Sequence, residues 1–252
     1  MDKLTVILPA YNEEDNVRLL FERWEGQRAV LLEKHGIGLQ LVLVDDGSRD
    51  RTPDIAAEIE GGNGNFTLLR HGANKGLGAA VRTGIEYFIN ECRESFLVCI
   101  MDCDNTQDPL YISGMLEEME DKKAHVVIAS RYRKGSRVDG VSWGRLIMSG
   151  GAKLVFSALL HVPGVRDYTC GYRLYRREKL ATAAERFGDK LIEENGFTCM
   201  VELLYKLYIC GAKFSEVPFR LRYDQKMGSS KMSVVKTALK SALLAVKLTK
   251  IE

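Results

Sequence analysis

Five short apolar runs, Leu4 to Leu8, Leu39 to Val44, Phe66 to Leu69, Phe96 to Met101 and Val126 to Ala129, alternate with helical patterns over the first half of the chain. A strand that reads as an unbroken apolar run must be covered on both faces, and strands alternating with helices build a parallel sheet. The helical patterns carry Val17, Leu19, Leu20, Phe21 and Trp24 after Asn12-Glu13-Glu14, then Thr52 to Ile59, then Ala79, Ala80, Val81, Ile85 and Phe88, then Leu110 to Met119. The expected fold is therefore α/β, a mostly parallel sheet with helices on both faces. With 252 residues, 46% of them hydrophobic and 28% charged, the chain is an ordinary folded protein with enough sequence for one full core.

Each run ends in polar residues, and in open sheets of this kind ligands bind at the carboxyl ends of the strands. Tyr11-Asn12-Glu13, Asp45-Asp46-Gly47, Asn74-Lys75-Gly76, Asp102-Cys103-Asp104 and Ser130-Arg131-Tyr132 all fall there. Any one of them reads equally well as a turn or a helix cap, the role assigned to Asp50. Five on one rim read as a binding site. The D-x-D pair sets the chemistry: carboxylate oxygens suit Mg²⁺ or Mn²⁺, which are commonly shared between one or two carboxylates and substrate phosphates. Asp45 or Asp46 offers acceptors to a base or ribose, and Tyr11 a stacking face. Arg131, Arg145 and Lys231, with Lys75 second to them, supply cations for phosphate oxygens.

After Arg133 the alternation stops. Lys134 to Gly140 reads as a loop, Val141 to Leu160 contains a helix with Arg145 and Ser149 on one face, and Asp167 to Tyr175 reads as a strand. Thr198 to Ile209 is an amphipathic helix whose Glu202 is left without a role, and Lys213 to Arg222 is a further strand before Gly228-Ser229-Ser230-Lys231. Residues 1–232 are expected to form one catalytic domain. In the tail, 233–252, Val234, Val235, Ala238, Leu239, Ala242, Leu243 and Val246 recur at helical spacing, with Lys236, Lys240 and Lys247 elsewhere on the helix. Between Arg220 and Lys250 the basic residues Arg222, Lys226, Lys231, Lys236, Lys240 and Lys247 are opposed by Asp224 alone, which fits either a helix packed on the domain with its lysines in water or an anionic membrane surface as partner; no nucleic-acid partner is expected. Cys92, Cys99, Cys103, Cys170, Cys199 and Cys210 include no C-x-x-C pair. They are read as reduced thiols. With no signal pattern and no membrane-length apolar stretch, the expected location is the cytoplasm, peripheral on the cytoplasmic membrane face. His35, His71, His125 and His161 have no partners at ligand spacing, and Trp24 and Trp143 are read as packing residues.

Leu4 to Glu13, Val44-Asp45-Asp46-Gly47-Ser48, Asn74-Lys75-Gly76-Leu77-Gly78, the D-x-D and Ala129-Ser130-Arg131-Tyr132 together resemble the family 2 inverting glycosyltransferases with the GT-A fold. Asp167 to Gly171 and Gly228 to Lys231 resemble its dolichol-phosphate mannose synthase branch. The resemblance implies a metal-dependent transfer of a hexose from a GDP- or UDP-sugar to a polyprenyl phosphate. It also implies nucleotide contacts at Pro9, Tyr11, Glu13, Val44 and Asp46, diphosphate and metal contacts at Asp102, Cys103 and Asp104, and phosphate-binding cations at Arg131, Arg145 and Lys231. Two positions depart from the branch. Its further metal ligand, a Gln two residues after the second Asp, is Thr106 here with Gln107 next to it, so either is a candidate ligand. Its Arg three residues before the last glycine motif is Gln225, with Arg222 or Lys226 as substitutes. Two alternatives stand beside this reading: a family 2 transferase acting on a hydroxyl, with Asp167 as its base, and a non-catalytic nucleotide-sugar or lipid-binding protein. A dinucleotide-dependent enzyme is disfavoured, since the first strand leads into Pro-Ala-Tyr-Asn-Glu and no G-x-G-x-x-G.

Overall fold

A computed structural model describes residues 2–141, 151, 154–225 and 243–251. The strands β1 (Lys3–Ala10), β2 (Gly38–Asp45), β3 (Phe66–Arg70), β4 (Ser95–Ile100) and β5 (Val126–Ser130) coincide with the five apolar runs. With β7 (Arg173–Arg176) and β8 (Phe214–Pro218) they form a seven-stranded sheet in the order β3-β2-β1-β4-β7-β5-β8. Every residue from Leu4 to Ala10 is buried. Because successive side chains of a strand point to opposite faces, both faces of the sheet are covered there. This is the α/β architecture of the GT-A type.

Pro9 sits inside the central strand, where a missing N–H is normally excluded. Met101 N–H donates to Ile7 O, so the odd-numbered residues of β1 face β4, and that ladder ends at Ile7 and Ile100. The donor that Pro9 lacks therefore points where no partner strand continues.

β7 is antiparallel to both neighbours, with Arg173 opposite Ile100 on β4 and Ile128 on β5. Its start thus lies at the rim where the parallel strands finish. Extending the β4 register by two residues sets Gly171 against Asp102. Where a continuous strand from Asp167 to Tyr175 is expected, only Arg173–Arg176 is extended. Asp167 Oδ1 accepts N–H bonds from Thr169 and Cys170 and bends the preceding residues into a turn. The strand expected over Lys213 to Arg222 also divides, at Phe219, and its second part, β9 (Arg220–Arg222), pairs with β6 (Arg137–Asp139) in a separate ribbon.

The first helix, α1 (Val17–Glu25), starts later than Asn12 because residues 12–14 bond to the loop after β2. Helices at Arg28–His35 and Arg177–Phe187 carry no strong signal in the sequence. The expected Thr198 to Ile209 helix is Cys199–Ile209. Trp24 is fully buried, as its place on the apolar stripe predicts. Residues 154–159 and 243–248 are helical, while Arg145, Trp143, Ser149, Lys231 and most of the tail lie outside the described residues.

Candidate active site

At the ends of β1 and β2 two loops are laced together. Asn12, at φ 52°, donates its N–H to Ser48 Oγ at 2.9 Å, and its Oδ1 accepts the N–H of Arg49 at 2.8 Å. Glu13 N–H donates to Thr52 Oγ1 at 2.7 Å. Asp50, expected as a helix cap, accepts the N–H groups of Thr52 and Glu14 from one residue before Arg51, the N-cap of the helix Thr52–Gly62, which has no side-chain cap bond. Tyr11 and Glu13, half-buried, are thereby held beside Asp45 and Asp46.

The two aspartates have separate duties. Asp46 accepts the N–H of Lys75 at 2.9 Å and of Gly76 at 2.8 Å, and lies 2.7 Å from His71 Nδ1, whose Nε2 reaches Thr83 Oγ1. Both of its oxygens tie down the loop after β3. Asp45 uses Oδ1 for the N–H of Ser48, while its buried Oδ2 has no hydrogen-bond partner among the described residues. Arg70 Nε, 3.8 Å from that oxygen, supplies charge without a hydrogen bond. Asp45 lines a cavity of about 560 Å³ together with Ser48, Arg49, Arg70, His71 and Asn74. The resemblance places the nucleotide contact on Asp46, but it is Asp45 that keeps an open acceptor. Pro9 and Val44 have buried side chains, and Lys75 is exposed.

The D-x-D loop is similarly preorganised. Thr106 donates its hydroxyl to Asp104 Oδ1 at 2.7 Å, and Gln107 donates Nε2 to Asp102 Oδ2 at 2.8 Å while accepting the N–H of Asp102. Thr106 and Gln107, expected as candidate ligands, are here bonded to the carboxylates and orient them. Cys103 is buried between the two. Arg222 N–H donates to Thr106 O, fastening the β6/β9 ribbon to the same loop. A Cβ at Gly171 would lie 2.9 Å from Asp102 Oδ1 and 3.1 Å from Oδ2, so a larger residue there requires that carboxylate to shift. Hard oxygen donors held in this way fit Mg²⁺ or Mn²⁺. Among the described residues no group of three or more His, Cys, Asp or Glu side chains gathers as a complete ion cage. A pair of carboxylates is the set such ions share with phosphates. Gly171→Ala should raise the Mn²⁺ concentration needed for half-maximal nucleotide binding and lower turnover by about 10²-fold, the scale of a misplaced reacting group. Unchanged metal titration in a calorimeter would show that Asp102 does not depend on this close approach.

Behind the turn lie four charged side chains. Asp167, fully buried, receives Arg131 Nε at 2.8 Å, Arg131 Nη2 at 2.6 Å and the backbone N–H of Arg131 at 3.0 Å. Burial alone would raise its carboxyl, yet the charge and hydrogen bonds of Arg131 outweigh that and the pKa lies below the ordinary aspartate value. Arg131 also bonds Thr169 Oγ1. Burial likewise opposes its charge, and Asp167 reverses the effect. Arg131, expected as a cation facing phosphate, is thus largely committed to an internal pair. Arg173, fully buried, spreads its guanidinium over the carbonyls of Tyr168, Cys170 and Met200. Glu216 Oε1 accepts the N–H groups of Arg166 and Asp167, and its burial raises its pKa. The Cys170 thiol is pushed up to about 12 by burial, which makes it a packing residue.

A second wall comes from residues 193–195. Glu202, left open by the sequence, is buried with Lys206 at 2.6 Å and accepts the N–H groups of Glu193 and Glu194. This brings the Asn195 carbonyl to within 2.4 Å of where a Cβ on Gly76 would stand.

Residues 5–182 match the model of the family described as Glycosyl transferase family 2. The chain belongs to that family. Its activity is accordingly that of a glycosyltransferase. It is 32% identical over 230 residues to a polyprenol monophosphomannose synthase of Mycolicibacterium smegmatis, covering 90% of this chain and 80% of the relative. It is 30% identical to a dolichol-phosphate mannosyltransferase of Pyrococcus furiosus, covering 89% of this chain but 59% of that longer relative. Among solved structures it resembles a glucosyl-3-phosphoglycerate synthase from Mycobacterium tuberculosis in complex with Mn²⁺, UDP and phosphoglyceric acid, with a TM-score of 0.67 and 17% identity over 100% of this chain and 80% of that one. A Pyrobaculum calidifontis mannosyltransferase in complex with GDP-Man and Mn²⁺ has a TM-score of 0.53 and 17% identity, covering 85% of this chain and 54% of that one.

In this family 2 chain the residues that sequence reasoning misses are those that hold others. His71 has no partner at ligand spacing, yet it bridges Asp46 and Thr83. Asn16, Arg173 and Glu216 stand in no motif. A buried-strand context around an isolated charge, as for Arg173 and Glu216, is the one available signal.

Proposed function

We propose that this glycosyltransferase moves a hexose, with inversion, from a nucleoside diphosphate sugar to a polyprenyl phosphate. The observation that carries the reading is the state of Asp167. A hydroxyl acceptor needs a base to take its proton. Asp167 is the candidate for that task, but it is buried, paired twice over with Arg131 and held below the usual aspartate range. A phosphate monoester is already anionic at neutral pH and needs no such base. One of its oxygens attacks the anomeric carbon with a lone pair, the bond to the nucleoside diphosphate breaks, and that bond's electron pair leaves with the diphosphate. The names of the two relatives support the same acceptor class.

In this reading Asp45 accepts a hydrogen bond from the nucleoside, and Tyr11 and Glu13 border it. Asp102 and Asp104 would hold Mg²⁺ or Mn²⁺, with Thr106 and Gln107 orienting the two carboxylates. When bound, such an ion would supply positive charge to offset that developing on the departing diphosphate. Arg145 and Lys231 are the proposed phosphate cations, on the strength of the family resemblance. Incubation with GDP- and UDP-hexoses, polyprenyl phosphate and either ion should yield a lipid heavier by one hexose. Free polyprenol should give no product. Equal glycosylation of polyprenol would overturn the phosphate-acceptor reading.

A polyprenyl chain stays in the bilayer, so the enzyme must come to the surface. No helix among the described residues is long and apolar enough to cross a membrane. In the helical residues 243–248, Leu244, Ala245 and Leu248 are buried against the domain while Leu243 is 73% and Val246 48% exposed. That outward apolar face, with the basic tail before it, supports peripheral docking through residues 233–252 on the cytoplasmic face. The chain should co-sediment with anionic vesicles at low salt, and the pair Leu243→Glu and Val246→Glu should reduce the bound fraction several-fold. Retention of full binding in that variant would exclude this helix as the anchor.

A further inference from the structure

Asn105 follows Asp104 directly and adopts φ 58°, in the left-handed region that asparagine tolerates better than most residues. It is buried, and its Nδ2 donates to Asn16 O at 3.1 Å and Asn16 Oδ1 at 3.0 Å. Asn16, also buried, donates its own Nδ2 to Glu13 Oε2 at 2.7 Å. An unbroken run of side-chain hydrogen bonds therefore joins the D-x-D loop to the Tyr11–Glu13 loop. The β1–β4 ladder ends at Ile7 and Ile100, and beyond it this bridge links the two loops.

We infer that Asn105 is a positioning residue that keeps the nucleoside half of the donor site in register with the diphosphate half. The inference rests on the nucleotide-sugar reading above. A ligand spanning two half-sites gains affinity from both only if their separation matches its own length. A fragment occupying one half has no such requirement. Asn105 is buried and its Nδ2 is directed to Asn16, so it is assigned a positioning role and no ligand contact.

The test compares whole nucleotides with their parts by calorimetry. The probes are UDP and GDP with Mn²⁺, against uridine, guanosine and Mn²⁺-pyrophosphate. Asn105→Gly retains access to positive φ and deletes the bridge. Asn105→Asp keeps the size but turns a carboxylate oxygen toward the two acceptor oxygens of Asn16. Asn105→Gly should weaken binding of the preferred nucleotide about tenfold, which corresponds to about 1.4 kcal/mol. Asn105→Asp should weaken it more, and the fragments should bind as they do to the wild type. Combining Asn105→Gly with Asn16→Ala should add little to the larger single loss, since both break one bridge. Unchanged nucleotide affinity, a parallel loss for fragments, or additive losses in the double variant would each overturn the inference. Failure of the wild type to bind either nucleotide would instead bring down the donor reading, and the inference with it.

Discussion

Asp104→Asn will give a folded protein with transfer reduced by at least about 10²-fold, the scale on which removing one charge-stabilising group affects turnover. Asp104 is buried to 9% exposure, and its Oδ1 accepts both the N–H and the hydroxyl of Thr106. The amide of asparagine keeps an oxygen for those two donors while removing the negative charge that a divalent ion requires. The substitution therefore separates chemistry from folding. Asp104→Ala does not, because it leaves the buried donors of Thr106 without an acceptor, at about 1–3 kcal/mol. Turnover with saturating donor and Mn²⁺, measured beside the thermal midpoint, distinguishes the two variants. An active Asp104→Asn enzyme that still requires metal would remove Asp104 from the proposed site.

Arg131→Ala will destabilise the fold by about 3–5 kcal/mol, because it strands a buried carboxylate. The Asp167 side chain is 0% and that of Arg131 18% exposed, so water screens the pair little. If Arg131 instead served only to bind phosphate at the rim, its removal would lower activity and leave stability alone. Denaturant midpoints therefore decide which role Arg131 has. The pH dependence has a definite sign. Asp167 has a folded-state pKa below its unfolded value, so the pair's contribution is complete above about 3.9 and is lost as pH falls through the lower, folded value. The gap between wild type and Arg131→Ala should be widest near neutrality and narrow under strong acid. Equal midpoints at pH 7 would mean that the pair contributes nothing to the fold.

The second prediction depends on a contact that no window of sequence displays. Asp167 in its local string Asp-Tyr-Thr-Cys-Gly looks like a strand start or a free base. Its identity as an internal counter-ion comes from Arg131, 36 residues away, brought there by the antiparallel insertion of β7 between β4 and β5. The same register presses Gly171 onto Asp102 and converts a second-half motif into part of the proposed metal-binding rim. Asp45 and Asp46 are equivalent as neighbours in sequence. The loop after β3 separates them by claiming both oxygens of one and leaving one oxygen of the other open.

What the sequence determined by itself was whatever short-range periodicity encodes: five apolar strands, the helices after them, and the gathering of polar motifs at one end of a parallel sheet. Those features follow from burial and alternation, which act over a few residues. Only the tertiary structure decided which polar group is free to bind a ligand and which holds its neighbour. A carboxylate or guanidinium takes its role from the charges and hydrogen-bond partners that surround it in space, and for Asp46, Arg131 and Asp167 those partners arrive from loops and strands far away in sequence.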